Sequence, residues 1–305
     1  MHVTTVMPLA LLAVVAARAA VTADMALQAA AAGSTLDIRD CGAVAGSLAH
    51  NLSNAAAISH CLANATSGDT VLVPAGLTFY TVGGIHAAQA QGWTLRIEGT
   101  LAAVSDFARW PVDSTGKKYL DVLHLSGCQN VQIIGNGTID GSGKPWWNRW
   151  VVGDTGGMHR PHLVVIDTCV DVLVHGITML NSPNYHLLLS NVARVEVGFV
   201  RVEVDRKAIR AAKARKRQLR MLSGAASASG GPGSVAGPGG KPVLQPEDLN
   251  TDGIDPSGRD VWIHDSYINN DDDSIAVKPC TRSKCSNAAA DGCSALGCKG
   301  GCRSF

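Results

Sequence analysis

From Trp93 onward the chain repeats a short unit, and that repetition limits its fold more than any other feature. Each unit has a polar or glycine-bearing turn, a V-x-I or V-x-V pair, a second small turn and one more apolar pair. Leu95-Arg-Ile97 with Gly99 and Leu101 is one instance, and Val131-Gln-Ile133 with Ile139 is another. Val172-Leu-Val174 with Met179, Val195-Glu-Val197 with Val202, and Val261-Trp-Ile263 with Ile268 follow. The first valines of these last four units stand 41, 23 and 66 residues apart. The 23 is a single coil. The 66 becomes 25 when residues 206–246, a 41-residue segment of different character, are set aside. The 41 holds one coil plus an excursion over 141–160, rich in Trp, Gly and Pro. Strand-rich units at a near-constant period, with no helix in each, indicate a solenoid. A β-sandwich has strands of similar length, but the hairpin turn pairs it requires are scarce here. The expected fold is all-β: a right-handed parallel β-helix forming a single domain over 34–305.

Both ends and one interruption depart from the repeat. Leu36 to Val44 reads as a first strand ending in a turn. Asn54 to Ala65 is Ala-rich, with Ile58, Cys61 and Leu62 at helical spacing, so a short helix is expected to cover the exposed edge of the first coil. Residues 206–246 begin basic and Ala-rich, open to transient helix, and continue as SGAASASGGPGSVAGPGG, a flexible low-complexity run. The expectation there is a solvated insertion between coils, where extra length costs little. The alternative is an arm that attracts an acidic polymer or a nucleic acid.

Charge bears on that alternative. Arg206 to Arg220 holds eight Lys/Arg and no acid, and Lys241 adds a ninth. Without those nine the chain has 17 basic against 25 acidic residues, which argues against a nucleic-acid binder. Residues 1–23 join an apolar run to small residues around Ala17-Arg18-Ala19 and read as a secretory signal, too short to span a membrane comfortably. Nine cysteines agree with an oxidising compartment. Five of them crowd into 280–305, without CxxC pairs or a nearby His, which favours disulfides over zinc. Asn51, Asn64 and Asn136 open N-x-S/T triplets. The expected product is a secreted, extracellular or cell-wall monomer without a membrane anchor.

The stretch Asn250 to Lys278 concentrates the chemistry. It carries a lone Asp252 and, one coil later, the run Asp271 to Asp273. A chain that winds once per twenty-odd residues stacks Asp252 on Asp272 and Asp273, and such a carboxylate patch suits acid–base work on a glycosidic bond. Each part has a plainer reading: Asp252-Gly253 as a turn, Asp271 to Asp273 as a solvated loop or, with further ligands, a calcium site. Asn250 either binds substrate or holds the turn.

Several segments, in order, resemble glycoside hydrolase family 28, the polygalacturonases and related pectin-degrading enzymes. Asp37-Ile-Arg-Asp-Cys-Gly-Ala-Val is similar to the family's opening strand, and Gly137-Thr-Ile-Asp-Gly-Ser-Gly with Trp146-Trp147 to its GTIDGxGxxWW segment. Arg160-Pro161 and Asn181-Ser-Pro-Asn-Tyr-His186 match its RP and SPxWH elements, with Tyr185 in the aromatic place. Asn250-Thr-Asp-Gly-Ile-Asp255 corresponds to NTDGID, and Asp271-Asp-Asp-Ser-Ile-Ala-Val-Lys278 to GDDCIAIK. Asp271 and Ser274 replace that motif's Gly and Cys. The family's later Gly-His-Gly histidine and Arg-Ile-Lys pair have no counterpart, so this chain is read as ending before the family's later coils.

The resemblance implies an inverting, metal-free and cofactor-free hydrolase of α-1,4-galacturonan in pectin. Asp272 would be the general acid, while Asp252 and Asp273 would position and deprotonate water across a gap of roughly 6.5–9.5 Å. Asn250, His186 and Lys278 are the candidate substrate-binding residues, Lys278 because the substrate is a polyanion. Two further readings stay open: an inactive β-helix that only binds acidic polysaccharide, and a calcium-dependent pectate lyase on the same architecture. One local difficulty accompanies the assignment. Neighbours on a regular strand face opposite sides, so Asp272 and Asp273 share a pocket only where the chain bends, and Asp at 271 bends less readily than Gly.

Overall fold

The computed structural model describes residues 33–222 and 249–279; the expected signal (1–23), the remainder of the insertion and the Cys-rich stretch (280–305) lie outside the described residues. Among the described residues, sixteen short strands wind into a parallel β-helix of three faces, and every pairing between them is parallel. The first face stacks β4 (Ile85–Ala88), β7 (Leu123–Ser126) and β10 (Val164–Asp167). The second stacks β1 (Thr35–Asp37), β2 (Thr70–Val73), β5 (Thr94–Ile97), β8 (Gln129–Ile134) and β11 (Val170–His175). The third stacks β3 (Thr78–Thr81), β6 (Thr100–Ala103), β9 (Thr138–Asp140), β12 (Thr178–Leu180), β14 (Arg201–Glu203) and β16 (Tyr267–Asn269). Two longer strands, β13 (Leu187–Gly198) and β15 (Ile254–His264), run round the corner from the first face to the second, which makes those two faces one hydrogen-bonded sheet.

Alternation explains the faces. In each strand every second residue points inward, and the register from coil to coil stacks like on like. Ile85, Leu123, Val164, Leu187 and Ile254 form one buried column, Leu95, Ile133, Val174 and Val197 a second, and Phe79, Leu101, Ile139, Met179 and Val202 a third. These columns face one another in a continuous apolar core. Corners require a reversal of the backbone. At the first, Asn130, Asp171, Arg194 and Asp260 take left-handed φ values of 52°, 57°, 53° and 56°, a conformation that Asn and Asp tolerate best. At the second, the same role falls in turn to Gly135, Gly176, Phe199 and Asp265. A Cβ on Gly135 would lie 2.0 Å from the Ile97 carbonyl oxygen, so only glycine fits there.

Three α-helices among the described residues decorate the solenoid. The first, α1 (Asn51–Asn64), covers the opening coil with Ala55, Ile58, Cys61 and Leu62, and a Cys41–Cys61 disulfide fastens it. Burial of Asn51 (3% exposed) closes the first N-x-S/T triplet, whereas Asn64 and Asn136 are exposed. Cys128 and Cys169 are reduced, buried and stacked one coil apart. The second, α2 (Lys144–Val151), is the Trp-rich excursion. The third, α3 (Arg206–Leu222), occupies the basic part of the insertion. Where the sequence suggested a solvated loop, a helix packs instead. Asp205 caps it, its Oδ1 accepting from the N–H groups of Lys207 and Ala208. Ala208, Ile209 and Ala212 then bury against Trp147, Val151, Val204 and Leu249 in a small second core. The apolar stripe at 208, 209 and 212 is masked in sequence by the charges around it. Among the described residues no helix is long and apolar enough to cross a membrane.

Candidate active site

The site lies where β15 begins, on the first face. Leu249 and Thr251 are fully buried and anchor the incoming chain, which sets Asp252 at the strand entrance with 3% exposure. The following coil returns beside it. Gly253 N–H donates to the Asp273 carbonyl at 2.9 Å and Ile254 N–H to that of Ser274 at 3.1 Å. This close approach explains the Asp-Gly pair. A Cβ at Gly253 would sit 2.4 Å from the Ser274 carbonyl oxygen and 2.8 Å from Ile268 Cγ2.

Those contacts bring Asp252, Asp272 and Asp273 together, with one carboxylate oxygen from each lying within 4.8 Å of the others. The bend that lets neighbouring aspartates share the pocket is held by side chains. Asn270 Nδ2 donates to the Asp273 carbonyl at 2.6 Å, and Asp272 accepts from the N–H of Asp273 (2.9 Å) and of Asn250 (3.1 Å). Asp271 does not adopt a positive φ, so replacing the motif's glycine carries no backbone strain. Nor does it add a fourth charge to the patch. Its Oδ2 lies 2.5 Å from Lys213 Nζ of α3 in an ion pair.

Lys278 is the cation paired directly with the buried acids of the site. Its Nζ is 3.3 Å from Asp252 Oδ2 and 3.6 Å from Asp255 Oδ2, and 4.7 Å above the Tyr185 ring. Burial and the neighbouring charge of Asp272 raise the Asp252 carboxyl above its ordinary range. Burial works against the Lys278 ammonium, but Asp255, Tyr185 and Asp252 outweigh it and the net shift is upward.

His186 sits behind the pocket rather than in it, fully buried. Ser182 N–H donates to its Nε2 at 3.2 Å, which leaves the proton on Nδ1 to be donated to the Asp252 carbonyl at 2.9 Å. Burial holds this ring neutral, with its pKa lowered to about 4. His186 therefore fixes the Asp252 peptide. Three further residues of the site were not among the sequence candidates. Asp255 is fully buried, with neither carboxylate oxygen hydrogen-bonded, and burial with the charge of Asp252 pushes its pKa up to about 7. Tyr185 stacks on His162 at 4.8 Å and forms the floor beneath Lys278. Arg160 lies against Trp150 and donates to the Pro183 carbonyl, bracing the Tyr185 turn. The sequence signal for these three was their position inside the NTDGID, SPxWH and RP motifs.

A family model, "Glycosyl hydrolases family 28", matches residues 63–297. The chain belongs to that family. Curated relatives of this family-28 chain include a polygalacturonase of Chamaecyparis obtusa, 27% identical over 57% of this chain and 34% of its own length. A probable polygalacturonase of Vitis vinifera is 27% identical over 69% of this chain and 37% of its own. The chain thus spans about a third of the length of these relatives. Among solved structures, the endo-xylogalacturonan hydrolase of Aspergillus tubingensis superposes with a TM-score of 0.57 at 19% identity, covering 80% of this chain and 54% of that one. The polygalacturonase of Erwinia carotovora gives 0.56 at 21% identity, covering 81% and 57%. At such identities the likeness establishes the fold, a family-28 parallel β-helix.

Proposed function

We infer that this family-28 chain is a secreted glycosidase that hydrolyses α-1,4-linked galacturonan in pectin. The observation that carries the reading is the convergence of Asp252, Asp272 and Asp273 within 4.8 Å beside the ammonium of Lys278. Carboxylates gathered on one sugar-sized pocket let one member give a proton to the leaving oxygen while another takes one from water. Asp272 acts as the acid, and Asp252 with Asp273 orients and deprotonates the water. Lys278 and Asn250 meet the substrate at the mouth, with Lys278 binding a uronate carboxylate. His186 contributes from behind, through the Asp252 peptide.

The same three carboxylates are the one set among the described residues suited to a metal ion. Lys278 argues against a cation there, because its ammonium already meets Asp252 where a divalent ion would be drawn. Hydrolysis is favoured over calcium-dependent elimination on that ground. A second assignment of the acid also has an observation behind it: Asp252 is the buried member whose pKa is raised.

Release of reducing ends from polygalacturonate, with excess chelator present, tests the activity. Saturated products formed at an undiminished rate are expected; unsaturated, ultraviolet-absorbing products that chelator abolishes would overturn it in favour of a lyase, and binding without cleavage in favour of a lectin-like role. An aryl galacturonide with a good leaving group separates the two acids. Asp272→Asn should still cleave it while failing on the polymer, and the reverse result with Asp252→Asn would move the acid to Asp252.

A further inference from the structure

The cationic helix α3 interrupts the solenoid's period, yet it is built against the catalytic loop. Arg206 Nε donates to Asn269 Oδ1 at 2.7 Å and its Nη2 to the Asn270 carbonyl at 2.7 Å. Two turns on, Lys213 pairs with Asp271, the neighbour of Asp272. On a helix with 3.6 residues per turn, positions 206, 210, 213 and 217 share one stripe. All four are basic: Arg206, Arg210, Lys213 and Arg217. The first and third are spent on the loop, while Arg210 and Arg217 on the same stripe are exposed. The opposite side is anchored by Ala208, Ile209 and Ala212, so the stripe cannot roll away from the site.

We propose that the α3 stripe, through Arg210 and Arg217, is a binding rim for the carboxylates of an acidic polysaccharide next to the Asp252–Asp272–Asp273 pocket. The inference rests on the galacturonan reading for its ligand class, but not on cleavage. Arg210 and Arg217 stand seven residues apart, about 10 Å along the helix and the scale of two sugar units, and the ion pair at Lys213 fixes the register between rim and pocket. A polyanion is the occupant that charge complementarity selects, because α3 carries no acidic residue. A chain that bears its charges one per sugar suits this rim better than a duplex, since the rest of the molecule is net acidic.

The test measures equilibrium binding of polygalacturonate to the full chain in an Asp272→Asn background, at low and moderate salt. Arg210→Ala/Arg217→Ala is expected to weaken binding about tenfold at low salt. It should also flatten the dependence of log Kd on log salt, since fewer counterions are displaced. The control removes the same charge off the stripe, as Lys207→Ala/Arg215→Ala, and should change Kd less than twofold. Equal losses in the two double variants would reduce the effect to net charge and overturn the proposal. So would tighter binding of a DNA duplex than of polygalacturonate at the same salt. Should wild type release no reducing ends while the on-stripe variant alone loses binding, the hydrolase reading fails and the rim stands. Should wild type cleave while KM and Kd are unchanged in the on-stripe variant, the rim fails and the hydrolase reading stands.

Discussion

Lys278 Nζ stands 3.3 Å from Asp252 Oδ2, although 26 residues separate them. The contact crosses from one coil to the next and is the electrostatic counterweight to three clustered acids. Its sign is definite: a nearby cation favours the ionised carboxylate, so losing it raises the Asp252 carboxyl further. Lys278→Met should move the acidic limb of the kcat/KM pH profile to higher pH and raise KM for polygalacturonate. A profile with an unmoved limb would remove Lys278 from contact with the catalytic group.

Asp255 supplies a prediction about stability. Its carboxyl is fully buried and holds its proton up to about pH 7, whereas in the unfolded chain it releases it near the ordinary carboxylate value. Between those values the folded state binds more protons, so stability is present in full below about pH 4 and falls as pH rises through 7. Asp255→Asn should flatten that fall, raising Tm at pH 8 by several degrees while leaving it little changed at pH 4. Thermal melts at the two pH values check it; an equal shift at both would assign the effect to packing.

The stereochemistry of cleavage is open to a direct reading. The family resemblance implies inversion, for which a gap of roughly 6.5–9.5 Å between carboxyl groups is usual. The nearest oxygens of the Asp252, Asp272 and Asp273 group come within 4.8 Å instead. On the proposed roles, water held by two of the three carboxylates would still invert the anomeric centre at the shorter spacing, and proton NMR of the first-formed product should show the β anomer. An initial α anomer would mean a covalent intermediate, with one aspartate as nucleophile.

The solenoid was legible because its columns are written into the sequence as valines and isoleucines at a fixed period, and stacking turns period directly into contact. For the same reason Asp252, Asp272 and Asp273 could be placed near one another before any coordinates. Other features depend on contacts that no period encodes. The packing of α3 rests on Ala208, Ile209 and Ala212 meeting Trp147 and Leu249 from elsewhere in the chain. The harmlessness of Asp271 depends on a lysine 58 residues earlier. His186 illustrates a third kind of loss: a histidine reads alike whether it faces substrate or, as here, carries a neighbouring peptide on its Nδ1 proton.

Phe199 occupies the left-handed corner position that Gly135 and Gly176 fill in the preceding coils, with φ of 55°. A bulky side chain there is strained, by about 1–2 kcal/mol. Its ring is more than half exposed and makes only edge or tilted contacts with His175 and His264. Phe199→Asn should therefore stabilise the fold by about 1 kcal/mol, seen as a higher urea midpoint with an unchanged m-value. A lower midpoint would show that the His175–Phe199–His264 contacts outweigh the backbone strain.

Gly253 joins fold and chemistry most directly. Its missing side chain lets the coil bearing Asp272 and Asp273 lie against β15, and a Cβ would meet the Ser274 carbonyl at 2.4 Å and Ile268 at 2.8 Å. Backbone cannot yield as a flexible side chain can, so Gly253→Ala must displace the 271–274 segment or the start of β15. Either shift breaks the Gly253–Asp273 and Ile254–Ser274 hydrogen bonds, which together align the acids. Overpacking of this kind costs about 1–3 kcal/mol, small enough for a ten-strand sheet anchored elsewhere to survive. A displacement on the order of 1 Å lowers a reaction rate about a hundredfold. The expected variant keeps its β-sheet circular dichroism and Tm within several degrees of wild type, yet loses at least that factor in kcat on polygalacturonate. Near-normal kcat in a folded Gly253→Ala protein would mean that Asp272 and Asp273 do not need the register described here, and the acid patch would lose its claim to the chemistry.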